Sequence, residues 1–268
     1  MKIFFFGDVI GRVGREGLLQ VLPELKRTHQ PDFIIVNAEN AAHGKGLSPK
    51  IAEELWAEGV DVLTMGNHTF DRKEIGAIID DPRILRPANY PSTVAGHGSG
   101  VFKSRSGIPI GVLQLMGRVY MPLTDCPFQT ADREIEKLKG QAKIIFVDVH
   151  AEITSEKASL AWHLDGRITA AVGTHTHVQT ADERLLPGGT AFLTDAGACG
   201  PLNSIIGMDV PSAIKRFLTG LHSPMNVATG DAMVCGCVLD VDEATGKARS
   251  ITRIRELVTL PSTLSEDR

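Results

Sequence analysis

Carboxylates, carboxamides and imidazoles stand at the ends of five apolar runs in this chain, a donor set that suits divalent metal ions. Lys2–Phe6 leads into Gly7 and Asp8, Phe33–Val36 into Asn37-Ala38-Glu39-Asn40, and Val60–Met65 into Gly66-Asn67-His68. Ile144–Val149 leads into His150, and Ile168–Val172 into Gly173-Thr174-His175-Thr176-His177. If the runs are strands of one α/β architecture, their carboxyl ends converge where such sheets place their sites. Two carboxylates, two or three amide oxygens and three or four imidazoles are then too many ligands for one cation and suit a pair. Imidazole mixed with carboxylate favours Mn, Fe or Zn over Ca. Two such ions roughly 3.5–4 Å apart hold an attacking hydroxide and the oxygens of a phosphoester together. A nearby imidazole can then protonate the departing alkoxide. Phosphoester hydrolysis is the chemistry this set suits.

Taken singly, each residue has a plainer reading. Asp8 suits a helix cap and His150 a structural strand end, but one shared site explains all five strand ends at once. His175 and His177 are alternate residues, which in an extended segment face one side. His29, His97 and His222 lie in polar, loop-like contexts and read as solvated surface, and His163 carries no assignment. Gly7, Gly11 and Gly14 lack the GxGxxG spacing and Gly44-Lys45-Gly46 lacks the Walker spacing, so neither is expected to bind a nucleoside triphosphate. His43 and Lys45 follow Glu39-Asn40 closely and are expected to border the site, with a backbone amide or ammonium near phosphate. The Gly-rich turn at Gly197–Ser204 is expected to close over the ligand.

The elements that must position these residues alternate through about residue 180. The Val-, Ile- and Phe-rich runs read as buried strands. Leu18, Leu19, Leu22 and Leu25 have helical spacing within Arg15–Arg27, with Pro31 beyond. Ser48-Pro49 starts a second helix over Ile51–Glu58, Ser48 as N-cap and Pro49 in the first position. Asp71–Ile79, Asp132–Lys139 and Ser155–Trp162 are predicted helices, the last capped by Ser155, and Asn89–Gly107 reads as loop or hairpin. Farther on, Ala191–Leu193, Ala232–Asp242 and Ala248–Leu257 are expected strands, the last two forming an antiparallel hairpin that closes a second sheet. The chain is expected to be one domain over residues 1–268, with Pro261–Arg268 frayed.

Composition excludes other classes. A net charge of −4 over 268 residues, with no basic stripe, argues against an extended nucleic-acid surface, although a small nucleotide needs none. The apolar start MKIFFF is too short for a signal peptide and is interrupted by Asp8, and no window approaches a membrane span. Cys126, Cys199, Cys235 and Cys237 show no CxxC spacing, so a cytoplasmic protein with reduced thiols is expected. A homo-oligomer remains open.

The strings GDVIGRVGR, NAEN, TMGNHTFD, HAEITSEK, GTHTHVQTAD and DAGACGPLNSIIGMD resemble the calcineurin-like metallophosphoesterases, and more closely their bacterial YmdB-like branch. The resemblance runs from Met1 to about Leu260. It implies an α/β sandwich of two mixed β-sheets flanked by helices, with a dimetal site at the strand C-terminal ends. It further implies a phosphodiesterase that hydrolyses 2',3'-cyclic nucleotides to 3'-phosphates by attack of a metal-bound hydroxide. By the same resemblance, metal one is held by Asp8, Glu39, Asn40 and His177. Metal two is held by Glu39, Asn67, His150 and His175, Glu39 bridges, and His68 is the general acid. Ile10 stands where the broad superfamily has a histidine, and Glu39 stands where it has a bridging aspartate. Both departures fit the closer branch and leave metal one rich in oxygen, favouring Fe or Mn, with Zn compatible. A phosphomonoesterase of the same fold, or a metal-bearing regulatory protein acting through a partner, are the alternatives.

Overall fold

A computed structural model describes residues 1–222 and 224–261, so the expected fraying of the tail lies, past Pro261, outside the described residues. The first part of the chain runs through strand β1 (Lys2–Phe6), the short β2 (Asp8–Val9), helix α1 (Gly11–His29), β3 (Phe33–Asn37), helix α2 (Pro49–Ala57), β4 (Val62–Thr64) and β5 (Ile84–Leu85). The middle supplies β6 (Ser99–Lys103), β7 (Pro109–Met116), helix α3 (Pro127–Lys139), β8 (Ile144–His150), helix α4 (Thr154–His163), β9 (Ala170–Thr174), β10 (Arg184–Leu185) and β11 (Ala191–Leu193). The chain then adds β12 (Ala198–Pro201), helix α5 (Val210–Thr219), β13 (Ala232–Val241) and β14 (Ala248–Val258).

These strands make two mixed sheets. One has the order β2-β12-β13-β1-β3-β4-β5 with β14 paired to β13, and the other β10-β11-β9-β8-β7-β6. Within the first, β1, β3, β4 and β5 are parallel, and within the second, β7, β8, β9 and β11 are parallel. Successive side chains of a strand face opposite ways. In β1, Ile3 and Phe5 therefore enter the core between the sheets, with Phe33, Ile35, Phe146 and Val172. Phe4 and Phe6 face the other way, against Leu18 and Leu22 of α1. On the far side of the second sheet, Val147 and Val149 pack with Ile135 of α3 and Leu160 of α4. Both faces of the parallel strands are covered, so their sequences run apolar without alternation.

The expected helix starts hold in part. Ser48 accepts a hydrogen bond from the Ile51 N–H, with Pro49 opening α2 as the sequence implied. Helix α3 begins at Pro127, earlier than the expected Asp132, because proline suits the first helical position. Ser155 does not cap α4; Ile153 occupies the N-cap without a side-chain bond. Asp71–Ile79 carries only a short 3-10 turn, Lys73–Ala77, since Gly76 weakens a helix there and Pro82 blocks its extension. Part of Asn89–Gly107 is β6, which pairs antiparallel with β7.

Two assignments change at the sheet level. The β13–β14 hairpin forms, but it enters the first sheet rather than closing the second, with β13 pairing β1 from Lys2↔Asp240 to Phe6↔Gly236. A hairpin is a local pairing; which edge it joins depends on contacts across the whole chain. Gly197–Ser204 is not a free turn that closes over a ligand: half of it is β12, buried and paired with both β2 and β13. Helix α5 lies outside the elements read from sequence. No helix among the described residues is long and apolar enough to cross a membrane.

Phe5 and Phe146 meet across the two sheets with ring centroids 4.9 Å apart. Phe5→Ala should destabilise the protein by about 3–5 kcal/mol. Urea unfolding followed by circular dichroism checks this; a loss below about 1 kcal/mol would mean the layer carries less than its burial implies.

Candidate metal centre

The carboxyl ends of β3, β4, β8 and β9 bring the predicted residues to one edge of the sandwich. Asp8 lies in β2, Glu39 and Asn40 follow β3, Asn67 and His68 follow β4, His150 ends β8, and His175 and His177 follow β9. Asp8, Glu39 and His150 are fully buried. Glu39, His150 and His175 each place one ligand atom within 4.8 Å of the others. His150 Nε2 lies 3.0 Å from Glu39 Oε1, 3.0 Å from Asn67 Oδ1 and 3.1 Å from His175 Nδ1. Asp8 sits alongside, its Oδ2 accepting from the His175 N–H at 3.1 Å and its Oδ1 3.7 Å from His150 Nδ1.

His175 and His177 do converge on this edge, but not by strand alternation. Strand β9 stops at Thr174, and both histidines take positive φ, 91° and 63°. Left-handed backbone is uncommon for such residues and is held by the surroundings. His177 Nδ1 lies 2.9 Å from the Ile206 carbonyl, and its charge acts on Asp8. Asn40 donates from Nδ2 to the Gly44 carbonyl at 2.8 Å, which the positive φ of Gly44 turns inward.

Hydrogen-bond directions show what the cluster lacks. The Thr174 hydroxyl donates to Asp148 Oδ1 at 2.7 Å, so its oxygen is left to accept from His150 Nδ1, 2.9 Å away. The neutral imidazole then has a lone pair on Nε2, facing the oxygens of Glu39 and Asn67. His175 Nε2 lies 3.1 Å from Glu152 Oε2, so its N–H points outward and its Nδ1 lone pair inward. Asp8 Oδ1, Glu39 Oε1 and Asn40 Oδ1 are buried without a hydrogen-bond donor. A single proton on His150 Nε2 would serve Glu39 and leave Asn67 and His175 unserved, whereas a divalent cation serves all of them. The residues fit a metal.

The titration behaviour has the same origin. Burial lowers the His150 pKa, but Glu39, then Asp8 and Asp148, overcome it and hold it at about 9, so without metal the ring carries a second proton on Nε2, which a cation at that nitrogen would replace. Burial raises Glu39, and the charge and hydrogen bond of His150 outweigh it, bringing Glu39 to about 2. Burial and the charge of His150 push His175 down to about 3. Asp8 is raised by burial despite His177 and His150. Acceptors held this close attract positive charge strongly.

Above the cluster lies a cavity of 1180 Å³, with Glu39, Asn40, His68, His175 and His177 in its wall. The exposed His43 and Lys45 also line it, with Arg72, Lys73 and Arg216 and the acids Asp71, Glu74 and Glu152. Arg72 Nε donates to the Lys45 carbonyl at 3.0 Å, pinning the Gly44-Lys45-Gly46 turn to the mouth. His68 donates its backbone N–H to Glu39 Oε2 at 2.9 Å, while its Nδ1 lies 2.8 Å from Asp71 Oδ2. The half-buried ring therefore turns Nε2 away from Asp71.

Three acids with a part in this geometry were not assigned from sequence: Asp71, Asp148 and Glu152. Asp71 stands three residues after His68, a spacing that could have pointed to a carboxylate backing that imidazole, whereas Glu152 meets His175 from far along the chain. Asp148 gave no such signal, since an acid inside FVDVH shows neither its burial nor its partners.

The model of the YmdB-like protein family matches residues 4–254. Over 255 residues the chain is 49% identical to a 2',3'-cyclic-nucleotide 2'-phosphodiesterase of Bacillus subtilis (strain 168), covering 95% of this chain and 96% of that one. A crystal structure of a hypothetical protein from Thermus thermophilus superposes with a TM-score of 0.91 at 38% identity, covering 96% of this chain and 100% of that one. That of a novel phosphatase from Mycoplasma pneumoniae gives 0.90 at 39% identity, covering 97% and 95%.

Gly66 packs into the cluster: a Cβ there would lie 2.3 Å from His150 Nε2 and 2.4 Å from Glu39 Oε2. Gly66→Ala should displace both and weaken metal binding by about 10–100-fold, the range seen when the support of a ligand is lost. Metal titration of the folded variant checks this, and unchanged affinity would show that the ligand positions tolerate the shift.

Proposed function

The chain belongs to the YmdB-like protein family, and from that premise we propose that it is a metal-dependent phosphodiesterase that opens 2',3'-cyclic nucleotides to 3'-phosphates. The observation that carries the reading is the buried convergence of lone pairs from Glu39, Asn67, His150 and His175 beneath a cavity whose wall includes Lys45, Arg72, Lys73 and Arg216. The Bacillus subtilis relative, named for the same reaction, supports a cyclic diester over a phosphomonoester. The four free cysteines support a reducing, cytoplasmic compartment.

In this reading the chain would hold two divalent ions. Asp8, Asn40 and His177 would hold one, Asn67, His150 and His175 the other, and Glu39 would contribute to both. The oxygen-rich first position favours Fe or Mn, with Zn compatible. When bound, such a pair supplies Lewis acidity and a nucleophile of lowered pKa. The protein's own groups do the rest. Lys45 and His43 at the mouth, with Arg72 and Arg216, attract the phosphodiester anion of a small nucleotide and orient it. Asp71 accepts from His68 Nδ1–H, which keeps Nε2 directed at the substrate and stabilises the ring when protonated. His68 then hands its Nε2 proton to the departing 2'-oxygen, leaving the phosphate on the 3'-oxygen.

The test is a substrate panel with the wild type and His68→Ala, alongside metal analysis. The wild type should turn over 2',3'-cyclic nucleotides well ahead of nucleoside monophosphates; the reverse order would make it a phosphomonoesterase. His68→Ala should keep its metals but lose about 10²–10⁴ in kcat on a cyclic nucleotide. The deficit should shrink for a nitrophenyl ester, whose leaving group needs no proton. An equal loss on both would remove the general-acid role.

A further inference from the structure

Asp148 lies fully buried in β8, two residues before His150. Its Oδ2 accepts from Thr64 Oγ1 at 2.6 Å and from Asn37 Nδ2 at 3.0 Å, while its Oδ1 accepts from Thr174 Oγ1 at 2.7 Å. Asn37 ends β3, Thr64 ends β4 and Thr174 ends β9. One carboxylate thus ties the carboxyl ends of two strands of the first sheet to two of the second. Two of these ties continue outward. Asn37 Oδ1 accepts from the Glu39 N–H at 3.2 Å, and Thr174 Oγ1 lies 2.9 Å from His150 Nδ1.

The carboxylate sets the direction of every bond in this chain. It can only accept, so the Thr174 hydroxyl spends its proton on it and takes the Nδ1–H of His150. A neutral imidazole carries one N–H, so Nε2 keeps its lone pair toward Glu39 and Asn67. We infer that Asp148 is a positioning residue of this site: through Thr174 it selects the His150 tautomer that can ligate metal, and through Asn37 it holds the turn carrying Glu39 from the opposite sheet. The inference rests on the reading that this cluster holds metal.

Replacing one oxygen of Asp148 by an amide nitrogen makes the prediction sharp. In Asp148→Asn, the new NH₂ either faces the Asn37 amide, donor against donor, or faces Thr174. In the second case the Thr174 hydroxyl can turn and donate to His150 Nδ1, moving the ring proton to Nε2, where the metal would bind. Thr174→Val cuts the link to His150 and leaves the ties to Asn37 and Thr64 in place. Thr64→Ala removes one tie and leaves the path to His150 intact.

The experiment takes the full-length wild type and the three variants, with thermal unfolding as the check on folding. The tautomer of His150 is read from the ¹⁵N shifts of labelled histidine in the metal-free protein above the His150 pKa of about 9, where the ring is neutral, and Zn affinity from competition with a chromophoric chelator. The wild type and Thr64→Ala should show Nδ1–H and equal affinity. Asp148→Asn and Thr174→Val should show a shifted or mixed tautomer and bind Zn about 10–100-fold more weakly. Either of these two variants, folded and with the wild-type tautomer and affinity, would overturn the inference. If Asp148→Asn does not fold, Thr174→Val decides. A wild type that holds Nδ1–H yet binds no metal would sink the functional reading and leave the tautomer assignment standing.

Discussion

The rest of this structure depends on one electrostatic constraint: oxygen and nitrogen lone pairs are pressed together in a buried place with too few protons among them. Asp8 and Glu39 are fully buried and each leaves an oxygen without a donor. An unmatched buried acceptor costs about 1–3 kcal/mol, more when charged. The remaining protein must supply the stability to hold such a cluster. It does so with two apolar sheets, whose shared core of Ile3, Phe5, Phe33 and Phe146 fixes the strand ends to within a hydrogen bond of one another. A cation turns the unfavourable crowding into coordination.

Holding the cluster is as much a matter of orientation as of proximity. An imidazole offers one lone pair when neutral, and which nitrogen carries it depends on what the other donates to. Glu152 faces the outer nitrogen of His175, Asp71 that of His68, and Asp148 reaches His150 through Thr174. Each of these three imidazoles is thus backed by an acid, which sets the nitrogen that looks inward, whereas His177 Nδ1 faces the Ile206 carbonyl. Asp148 differs from the other two in being fully buried and shared by both sheets. Burial raises its pKa to about 6 against the opposing effect of His150, Thr64 and Thr174, a measure of what it costs to keep an acceptor-only group at that junction.

Outside the cluster the cavity wall carries both signs of charge. The chain is acidic overall, at −4, yet Lys45, Arg72, Lys73 and Arg216 collect around the cavity mouth. Asp71, Glu74 and Glu152 share that wall, so its cations only slightly outnumber the acids outside the cluster. The 1180 Å³ cavity has room for a small nucleotide.

Much of this was legible in the chain because the signals are local. Apolar runs mark strands wherever both sheet faces are covered, and the residues following those runs necessarily sit at strand ends; Glu39, Asn67 and His150 follow from that alone. Ser48-Pro49 named its helix start for an equally local reason, a side-chain oxygen beside a proline with no N–H to satisfy. What the chain by itself could not decide was set by contacts between distant segments. The β13–β14 hairpin was recognisable, but its place beside β1 depends on residues more than two hundred positions apart. The inward turn of His175 and His177 comes from left-handed backbone held in place by the fold, not from strand periodicity. Asp148 looked like an acid in an apolar strand until Asn37, Thr64 and Thr174 arrived from three other strand ends. Residue types determined which chemistry was available. Only the packing of two sheets decided which atoms face each other, because hydrogen-bond direction and lone-pair orientation exist only once the partners are within reach.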